Sequence, residues 1–306
     1  MQINSISASR YKTFDMCLFK YWLTYFRDDI KLKSNWGASV GSLIHDILEN
    51  LVLEKDKDWV NRLYLGFSGK LLNLDSPLIW AKEDDYKNQK PKCDICPFKL
   101  DNKCRISGEN LGQLSGCPKK LFEWCYNIVE KAIKKYQNEF WPKILRDSNN
   151  QIIGSEYNFS IPLSDIGVNL IGFFDLVLKH DEDTIEIVDY KSGSWTQNFD
   201  ECYQDIQCKA YGFAAYKEFV DDINHKGFKF KNVMLTFDYF MNSPVTFTYP
   251  IEEMSNIEKL IINQIIKIKN THNITRVIGN GSFNWKCKSL CDIEVCKKEW
   301  DGSFIV

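Results

Sequence analysis

Two acidic residues and a lysine lie where the middle of the chain changes from apolar to charged. Asp175 follows Gly172-Phe-Phe, and Asp189 and Lys191 end the next apolar segment. On a β-strand, residues two apart face the same side, about 6.6 Å apart, so Asp189 and Lys191 share a face. A charge at a core-facing position needs a partner or a metal. Two carboxylates beside one ammonium predict a hard divalent cation with a positioned water, unless these charges only mark a solvated strand end.

The elements that carry these residues are predicted from hydrophobic periodicity. Strands are expected over 157–163, 168–179, 184–191, 232–241 and 245–249. A turn at 180–183 joins the second and third strands, so Asp175 would lie on the strand next to Asp189. The helix expected over 199–222 carries Gln207 and Tyr211 four residues apart, which places them on one face. A last helix ends near residue 269.

Helices dominate the N-terminal part of the predicted fold. They are expected over 10–26, 37–55 and 119–140. In the second helix apolar residues recur every three or four positions, which is typical of a helix that packs on a core, and His45 lies beside them. The alternation of helices and strands predicts a mixed α/β fold. The apolar stripe consists of Val40, Leu43, Ile44, Ile47, Leu48, Leu51 and Val52.

Composition limits the function classes. The chain has 306 residues, a formal net charge of −2 and 44% hydrophobic residues, which is the ordinary globular range. No apolar run approaches the roughly 18 residues of a membrane span, and no secretory signal is visible, so we expect a cytoplasmic protein without membrane contact. A Gly-rich phosphate loop, a G-x-S-x-G elbow and an H-E-x-x-H zinc motif are all missing from the sequence.

The cysteines are numerous, and most of them are clustered. There are 11 of them, and clustering without a secretory signal favours metal ligation over disulfides. A polar stretch over 87–120 is predicted to be an inserted subdomain, and it carries Cys93, Cys96, Cys104 and Cys117. The C-terminal trio is Cys287, Cys291 and Cys296. The isolated Cys125, Cys202 and Cys208 are predicted to be small buried hydrophobes.

Four motifs in order resemble a known family. They are Gly41-Ser-Leu-Ile-His45-Asp-Ile-Leu-Glu49, Gly172-Phe-Phe-Asp175, Asp189-Tyr190-Lys191 and Gln207-Cys-Lys-Ala-Tyr211. Together they look like the PD-(D/E)XK nuclease superfamily, in its RecB-like branch with the Gln-x-x-x-Tyr motif. The resemblance covers nearly the whole chain. It implies a restriction-endonuclease-like core, a central mixed sheet flanked by helices, and a single nuclease domain over 1–306 with a Cys-rich insertion.

The resemblance implies a role for each matched residue. His45, Asp175 and Asp189 would bind Mg²⁺ or Mn²⁺ together with the backbone carbonyl of Tyr190. Lys191 would orient or help deprotonate the attacking water and offset charge that develops on the phosphate. Gln207 and Tyr211 would hold a DNA strand near the scissile phosphate. Glu156 stands where some relatives carry a further acidic residue, so a supporting role is expected for it.

The terminal cysteines resemble the iron–sulfur layout of RecB-like nucleases, including AddB-type helicase–nucleases and the CRISPR adaptation nucleases. In that layout one cysteine comes early and three come late. Cys17, Cys287, Cys291 and Cys296 would then ligate a [4Fe–4S] cluster, with zinc as the rival metal. The segment 280–300 would pair with the N-terminal helix, clipping the two ends of the chain together.

The insert quartet forms a second candidate metal site. Cys93-x2-Cys96 has the spacing of half a tetrahedral zinc site. Zinc beside a basic DNA-contacting surface, a second iron–sulfur cluster and four unligated thiols all remain open. An alternative allocation puts the iron–sulfur cluster in the insert and zinc at the C-terminal trio.

These expectations favour a metal-dependent deoxyribonuclease, an exonuclease rather than an endonuclease, that acts on single-stranded DNA or DNA ends. Its setting would be repair, recombination or phage or CRISPR-associated processing in a bacterial or phage-infected cell. Because the sequence carries no helicase motor, a helicase or recombination protein is an expected partner. The rivals are a non-catalytic DNA-binding or assembly module that keeps the fold, and a zinc-organised protein–protein adaptor.

Overall fold

A computed structural model describes residues 3–30, 34–53, 57–68, 78–79, 93–114, 117–140, 152–193, 196–224, 226–274, 295–296 and 304–305. The chain divides into two compact units. The first comprises Met1–Ile30, Tyr136–Ser282 and Lys297–Val306, and the second Lys31–Lys135 and Phe283–Cys296. The single domain over 1–306, the insert boundaries 87–120 and the pairing of 280–300 with the N-terminal helix stay predictions. Within the described part of the chain, no helix is long and apolar enough to cross a bilayer.

A six-stranded mixed sheet organises the first unit. The strands are β1 (Ser5–Ile6), β6 (Ile152–Leu163), β7 (Val168–Lys179), β8 (Thr184–Lys191), β9 (Asn232–Tyr239) and β10 (Val245–Thr248). The long strand β7 pairs with β6 along one edge, and with β1 and then β8 along the other. β9 follows β8 in parallel, and β10 closes the sheet antiparallel to β9. A further pair in this unit joins β11 (Asn273–Ile274) to β12 (Phe304–Ile305).

Strand β8 lies at the centre of this sheet. Every residue from Ile185 to Tyr190 is buried, so both faces of the strand are covered. A strand buried on both faces has no polar side on which its charged residues could be solvated. Asp189 is only 4% exposed, which excludes the solvated strand end as an explanation of its charge.

The helices of the first unit pack on the sheet and on each other. They are α1 (Ala8–Met16), α2 (Leu18–Phe26), α6 (Phe199–Gln204), α7 (Ile206–Ala215) and α8 (Met254–Lys269), with π-helical turns at Tyr136–Phe140 and Tyr216–Val220. Their buried residues, such as Phe14, Phe213 and Ile257, join those of the strands in one hydrophobic core.

Two of the predicted helices are broken. The helix expected over 10–26 divides at Cys17, whose extended backbone (φ −163°, ψ 114°) ends α1 and begins α2. The helix expected over 199–222 divides at Asp205, whose side chain accepts a hydrogen bond from the N–H of Gln207, 2.7 Å away. An aspartate is a favoured helix N-cap, so the second break had a sequence signal, whereas a cysteine gives none.

The second unit is helical with short strands. It contains α3 (Trp36–Val52), α4 (Trp59–Gly66) and α5 (Lys119–Lys135), with two-residue strands β2 (Ser34–Asn35), β3 (Leu78–Ile79), β4 (Lys99–Leu100) and β5 (Lys103–Cys104). All seven residues of the predicted α3 stripe are at most 8% exposed, which confirms the core-facing helix. Phe122 on α5 stacks on Tyr64 of α4, with ring centroids 4.5 Å apart.

The mixed α/β fold with a central mixed sheet flanked by helices is therefore confirmed. Parallel pairs (β1–β7 and β8–β9) and antiparallel pairs occur in the same sheet. The burial predicted for the isolated Cys125, Cys202 and Cys208 is also confirmed, since each is at most 1% exposed. Strand β7 has the predicted bounds, and β6 begins five residues earlier than expected, at Ile152.

Candidate active site

Three acidic residues lie in a row across adjacent strands of the sheet. Leu176 of β7 pairs with Val188 of β8. Because the strands are antiparallel, Asp175, just before Leu176, lies opposite Asp189, just after Val188. On the other edge of β7, the pairs on either side of Glu156 place this residue opposite Asp175. The sequence predicts that Asp175 and Asp189 lie on adjacent strands, and the register of β6 on β7 adds Glu156 to them.

Glu156 is brought towards Asp175 by an irregular backbone. Its φ of 48° lies in the left-handed region, which residues other than glycine and asparagine seldom adopt. A carboxylate oxygen of Glu156 and one of Asp175 lie within 4.8 Å of each other. Backbone strain of this kind is common at functional sites, and the supporting role expected for Glu156 stays a prediction.

Asp175 is held in place by the backbone of the neighbouring strand. It is 7% exposed, and its Oδ2 accepts a hydrogen bond of 2.5 Å from the N–H of Tyr190. The Tyr190 ring is buried edge-on against Tyr136, whose hydroxyl donates to Asp238. Burial raises the pKa of Tyr190, and the nearby Asp175 and Asp238 raise it further, so the phenol stays neutral.

Lys191 forms an ion pair with Asp189. Burial would lower the pKa of Lys191, but the attraction of Asp189, their hydrogen bond and the attraction of Asp175 outweigh burial and raise it. The ammonium also lies over the ring of Phe237, 5.4 Å from its centroid. Lys191 is therefore a positively charged hydrogen-bond donor at neutral pH.

Gln207 connects the acidic row to a lysine that the sequence did not single out. Its Nε2 donates to Asp189, 3.4 Å away, while its Oε1 accepts a 3.0 Å hydrogen bond from Lys12 of α1. Lys12 also pairs with Asp205 at 3.0 Å. This lysine lies 195 positions from Gln207, and no local pattern could have identified it.

Tyr211 lies one turn after Gln207 on α7, as predicted, but its ring belongs to an aromatic cluster. It packs edge-on against Phe174 and Phe159, with centroids 5.5 and 6.1 Å away. Burial and the charges of Asp189 and Asp175 raise its pKa. A packing role is thus evident for Tyr211, and its contact with DNA stays a prediction.

The remaining predicted ligands lie on other elements. His45 is partly buried on α3 of the second unit. Cys17 of the first unit and Cys296 of the second are buried, while Cys287 and Cys291 lie outside the described residues. No disulfide joins any two of the cysteines that the structure describes. The insert cysteines Cys93, Cys96, Cys104 and Cys117 line one small cavity.

The family model of the PD-(D/E)XK nuclease superfamily matches residues 5–293. The chain belongs to the PD-(D/E)XK nuclease superfamily. No curated protein matches the chain.

Two solved structures are similar to this PD-(D/E)XK chain at low identity. One, described as "Putative exonuclease" from Eubacterium rectale, is 14% identical with a TM-score of 0.42, covering 87% of this chain and 82% of that one. The other, SSO0001, is 13% identical with a TM-score of 0.30, covering 60% of this chain and 82% of that one. Both likenesses are too distant to bear on activity.

The donor atoms in the acidic row fit the cation that this superfamily uses. Glu156, Asp175 and Asp189 offer carboxylate oxygens, which Mg²⁺ and Mn²⁺ prefer over nitrogen or sulfur. Two of the three, Asp175 and Asp189, are buried, so hydration offsets little of their charge, and a bound cation would add to the compensation that the Tyr190 N–H and Lys191 supply.

Proposed function

We propose that this protein is a Mg²⁺- or Mn²⁺-dependent deoxyribonuclease that degrades single-stranded DNA or DNA ends as an exonuclease. The observation that carries the proposal is the row of Glu156, Asp175 and Asp189 beside the Lys191 ammonium. A site that had lost its activity would have no reason to keep three acidic residues together, because their mutual repulsion destabilises the fold. The row therefore disfavours a non-catalytic DNA-binding module.

Asp175, Asp189 and Glu156 would hold the cation with their carboxylate oxygens, and the backbone carbonyl of Tyr190 would add a fourth oxygen. His45 is proposed as a further ligand on its sequence motif. When bound, the cation polarises the phosphodiester and makes a water molecule a stronger nucleophile. The hydrogen bond from the Tyr190 N–H keeps Asp175 oriented before any cation arrives.

Lys191 would act as a positive charge at the reacting phosphate. Its raised pKa keeps it protonated, which supports donation to a phosphate oxygen or orientation of the attacking water. A fixed ammonium stabilises the negative charge that develops as water attacks phosphorus. Asp189 would then serve both as a cation ligand and as the residue that positions Lys191.

Gln207 and Lys12 would hold the DNA strand beside the site. Gln207 contacts Asp189 directly, and Lys12 contacts Gln207. The side chain of Lys12 is 42% exposed. An exposed lysine and an amide are suited to phosphate and sugar contacts, which position a strand without reading its sequence. Tyr211 is proposed to stiffen the helix that carries Gln207 as well as to contact DNA.

The RecB-like branch and its iron–sulfur cluster are part of the same proposal. Cys17 and Cys296 are buried thiols, and together with Cys287 and Cys291 they would bind a [4Fe–4S] cluster. The support is the order of the cysteines in the sequence and the burial of the two described ones. An anaerobically purified sample should be brown and contain about four irons per cluster, and colourless protein without iron would reject the cluster.

The nuclease proposal is tested with Asp189→Asn and Lys191→Met. Matched controls come from the opposite end of β8, where Asp183, just before β8, pairs at 2.9 Å with Lys231, just before β9. Asp183→Asn and Lys231→Met remove the same kinds of group outside the site. End-labelled single- and double-stranded DNA is incubated with Mg²⁺, Mn²⁺ or EDTA, alongside circular single-stranded DNA.

The two site variants should lose at least about 100-fold in cleavage rate, because each removes charge stabilisation made in the transition state. The two controls should cleave like the wild type. Linear DNA should be shortened and circles spared if the enzyme needs an end. Cleavage that persists in both site variants, or that needs no divalent cation, contradicts the mechanism.

A further inference from the structure

The four insert cysteines converge although they are spread over 25 positions. Cys93, Cys96, Cys104 and Cys117 all line one cavity of about 20 Å³ in the second unit, room for a single water-sized particle. The rest of the wall is mostly apolar, formed by Phe98, Ile106, Leu111, Leu114 and Pro118 together with the stems of Lys99 and Lys119.

The backbone is tightly turned around three of the four thiols. Cys93 and Cys96 flank a 3-10 turn closed by the Cys96 N–H and the Cys93 carbonyl, 3.2 Å apart. Cys104 ends the β4–β5 hairpin, and its carbonyl accepts from the N–H of Gly108, whose φ is 73°. A Cys-x2-Cys turn followed by a short hairpin presents two or three sulfurs to one point.

This segment has little else to hold it folded. Its strands are two residues long, and Ile95 and Leu100 are 83% and 59% exposed. Phe98 does pack on Phe122 of α5, with centroids 5.4 Å apart, which anchors one side of the segment. Chains with so small a core are usually stabilised by disulfides or a metal, and no disulfide joins these four cysteines.

We propose that Cys93, Cys96, Cys104 and Cys117 bind a single structural Zn²⁺ that holds residues 93–114 folded against α5. The site is closed and fully thiolate, so it takes no part in phosphodiester cleavage and does not depend on the proposed nuclease activity. Four thiolates, two of them in a Cys-x2-Cys turn, are a typical ligand set of a structural zinc site.

The first experiment measures zinc and iron in the purified full chain and its variants by mass spectrometry. Cys93→Ser removes one ligand, Cys117→His keeps a zinc-competent donor, and Cys125→Ala is the matched control, a buried cysteine of the same unit outside the cavity. We expect one zinc per chain in the wild type, the His variant and the control, and at least a tenfold loss in Cys93→Ser. Unchanged zinc in Cys93→Ser, or iron as the metal that is lost, overturns the proposal.

The second experiment uses only wild-type protein, so it does not depend on a variant that folds. Lys103 and Arg105 are exposed trypsin sites next to Cys104. A zinc chelator should speed cleavage after these two residues about tenfold, and added Zn²⁺ should reverse the effect, because the metal-free segment unfolds. Cleavage that is indifferent to the chelator overturns the structural role.

Discussion

Replacing Glu156 with Gln should raise stability while it abolishes metal-dependent cleavage. Glu156 and Asp175 have carboxylate oxygens within 4.8 Å of each other, so in the absence of a cation they repel. Two unit charges at that distance repel by about 3.5 kcal/mol at an effective dielectric constant near 20. Solvent around the partly exposed Glu156 and the Lys191 ammonium reduce this repulsion. We therefore expect Glu156→Gln to raise the free energy of unfolding in EDTA by about 1 kcal/mol.

The same substitution should remove the stabilisation that a bound cation provides. A cation at one hundred times its dissociation constant stabilises the native state by about 2.7 kcal/mol. Glu156→Gln weakens binding, so Mn²⁺ should stabilise the variant much less than the wild type. Glu156→Gly loses the same charge and also removes the strain of the left-handed backbone, which should raise the free energy of unfolding by about 1 kcal/mol. The greater conformational freedom of glycine in the unfolded chain offsets part of this gain.

Urea denaturation in EDTA and in Mn²⁺ measures both effects, and DNA cleavage is followed on the same samples. Glu252→Gln is the matched control, because Glu252 is exposed on a 3-10 turn of the same unit. The control should unfold and respond to Mn²⁺ like the wild type. The reasoning fails if Glu156→Gln is less stable than the wild type in EDTA, or if Mn²⁺ stabilises both equally.

Two further substitutions test the elements that support the site. Asp205→Ala removes the N-cap of α7 and the ion pair with Lys12, so it should lower the free energy of unfolding by about 1–2 kcal/mol. Asp205→Asn keeps a capping oxygen and should lower the free energy of unfolding less. Burial would raise the pKa of Asp205, but Lys12 and the hydrogen bonds outweigh burial and lower it. The charge of Asp205 therefore stabilises the folded state at pH values above the ordinary carboxyl pKa, and this stabilisation is lost as the pH falls through the lowered pKa of Asp205. The urea unfolding curves of the wild type and Asp205→Asn should therefore converge in acid. Gly172→Ala would place a Cβ 2.5 Å from Cζ of Phe159, so it should lower the free energy of unfolding by about 1–3 kcal/mol, measured by thermal or urea unfolding. In the control Gly193→Ala, the added Cβ meets nothing within 4 Å, so the free energy of unfolding should change by less than about 0.5 kcal/mol.

The motif residues could be recognised along the chain, whereas some of the elements that hold them in place could not. Gly172 illustrates the first case, since its motif was recognisable and its close approach to Phe159 supplies the physical reason for a residue without a Cβ. The broken first helix illustrates the second, because Cys17 carries no helix-ending signal and its extended backbone depends on tertiary packing. Glu156 lies between these cases. Its position was noted in the sequence, but its left-handed φ and its place opposite Asp175 come from strand pairing.

The sequence by itself determined the fold class, the long strands, the helix stripe of α3 and the superfamily. Each of these depends on the local order of apolar and polar residues, or on a motif that can be read along the chain. Only the tertiary structure decided that Lys12 contacts Gln207, that Glu156 joins the acidic row, and that four insert cysteines share a cavity. These relations join residues distant in the chain, and strand register and helix packing, which bring them together, are cooperative properties of the whole unit.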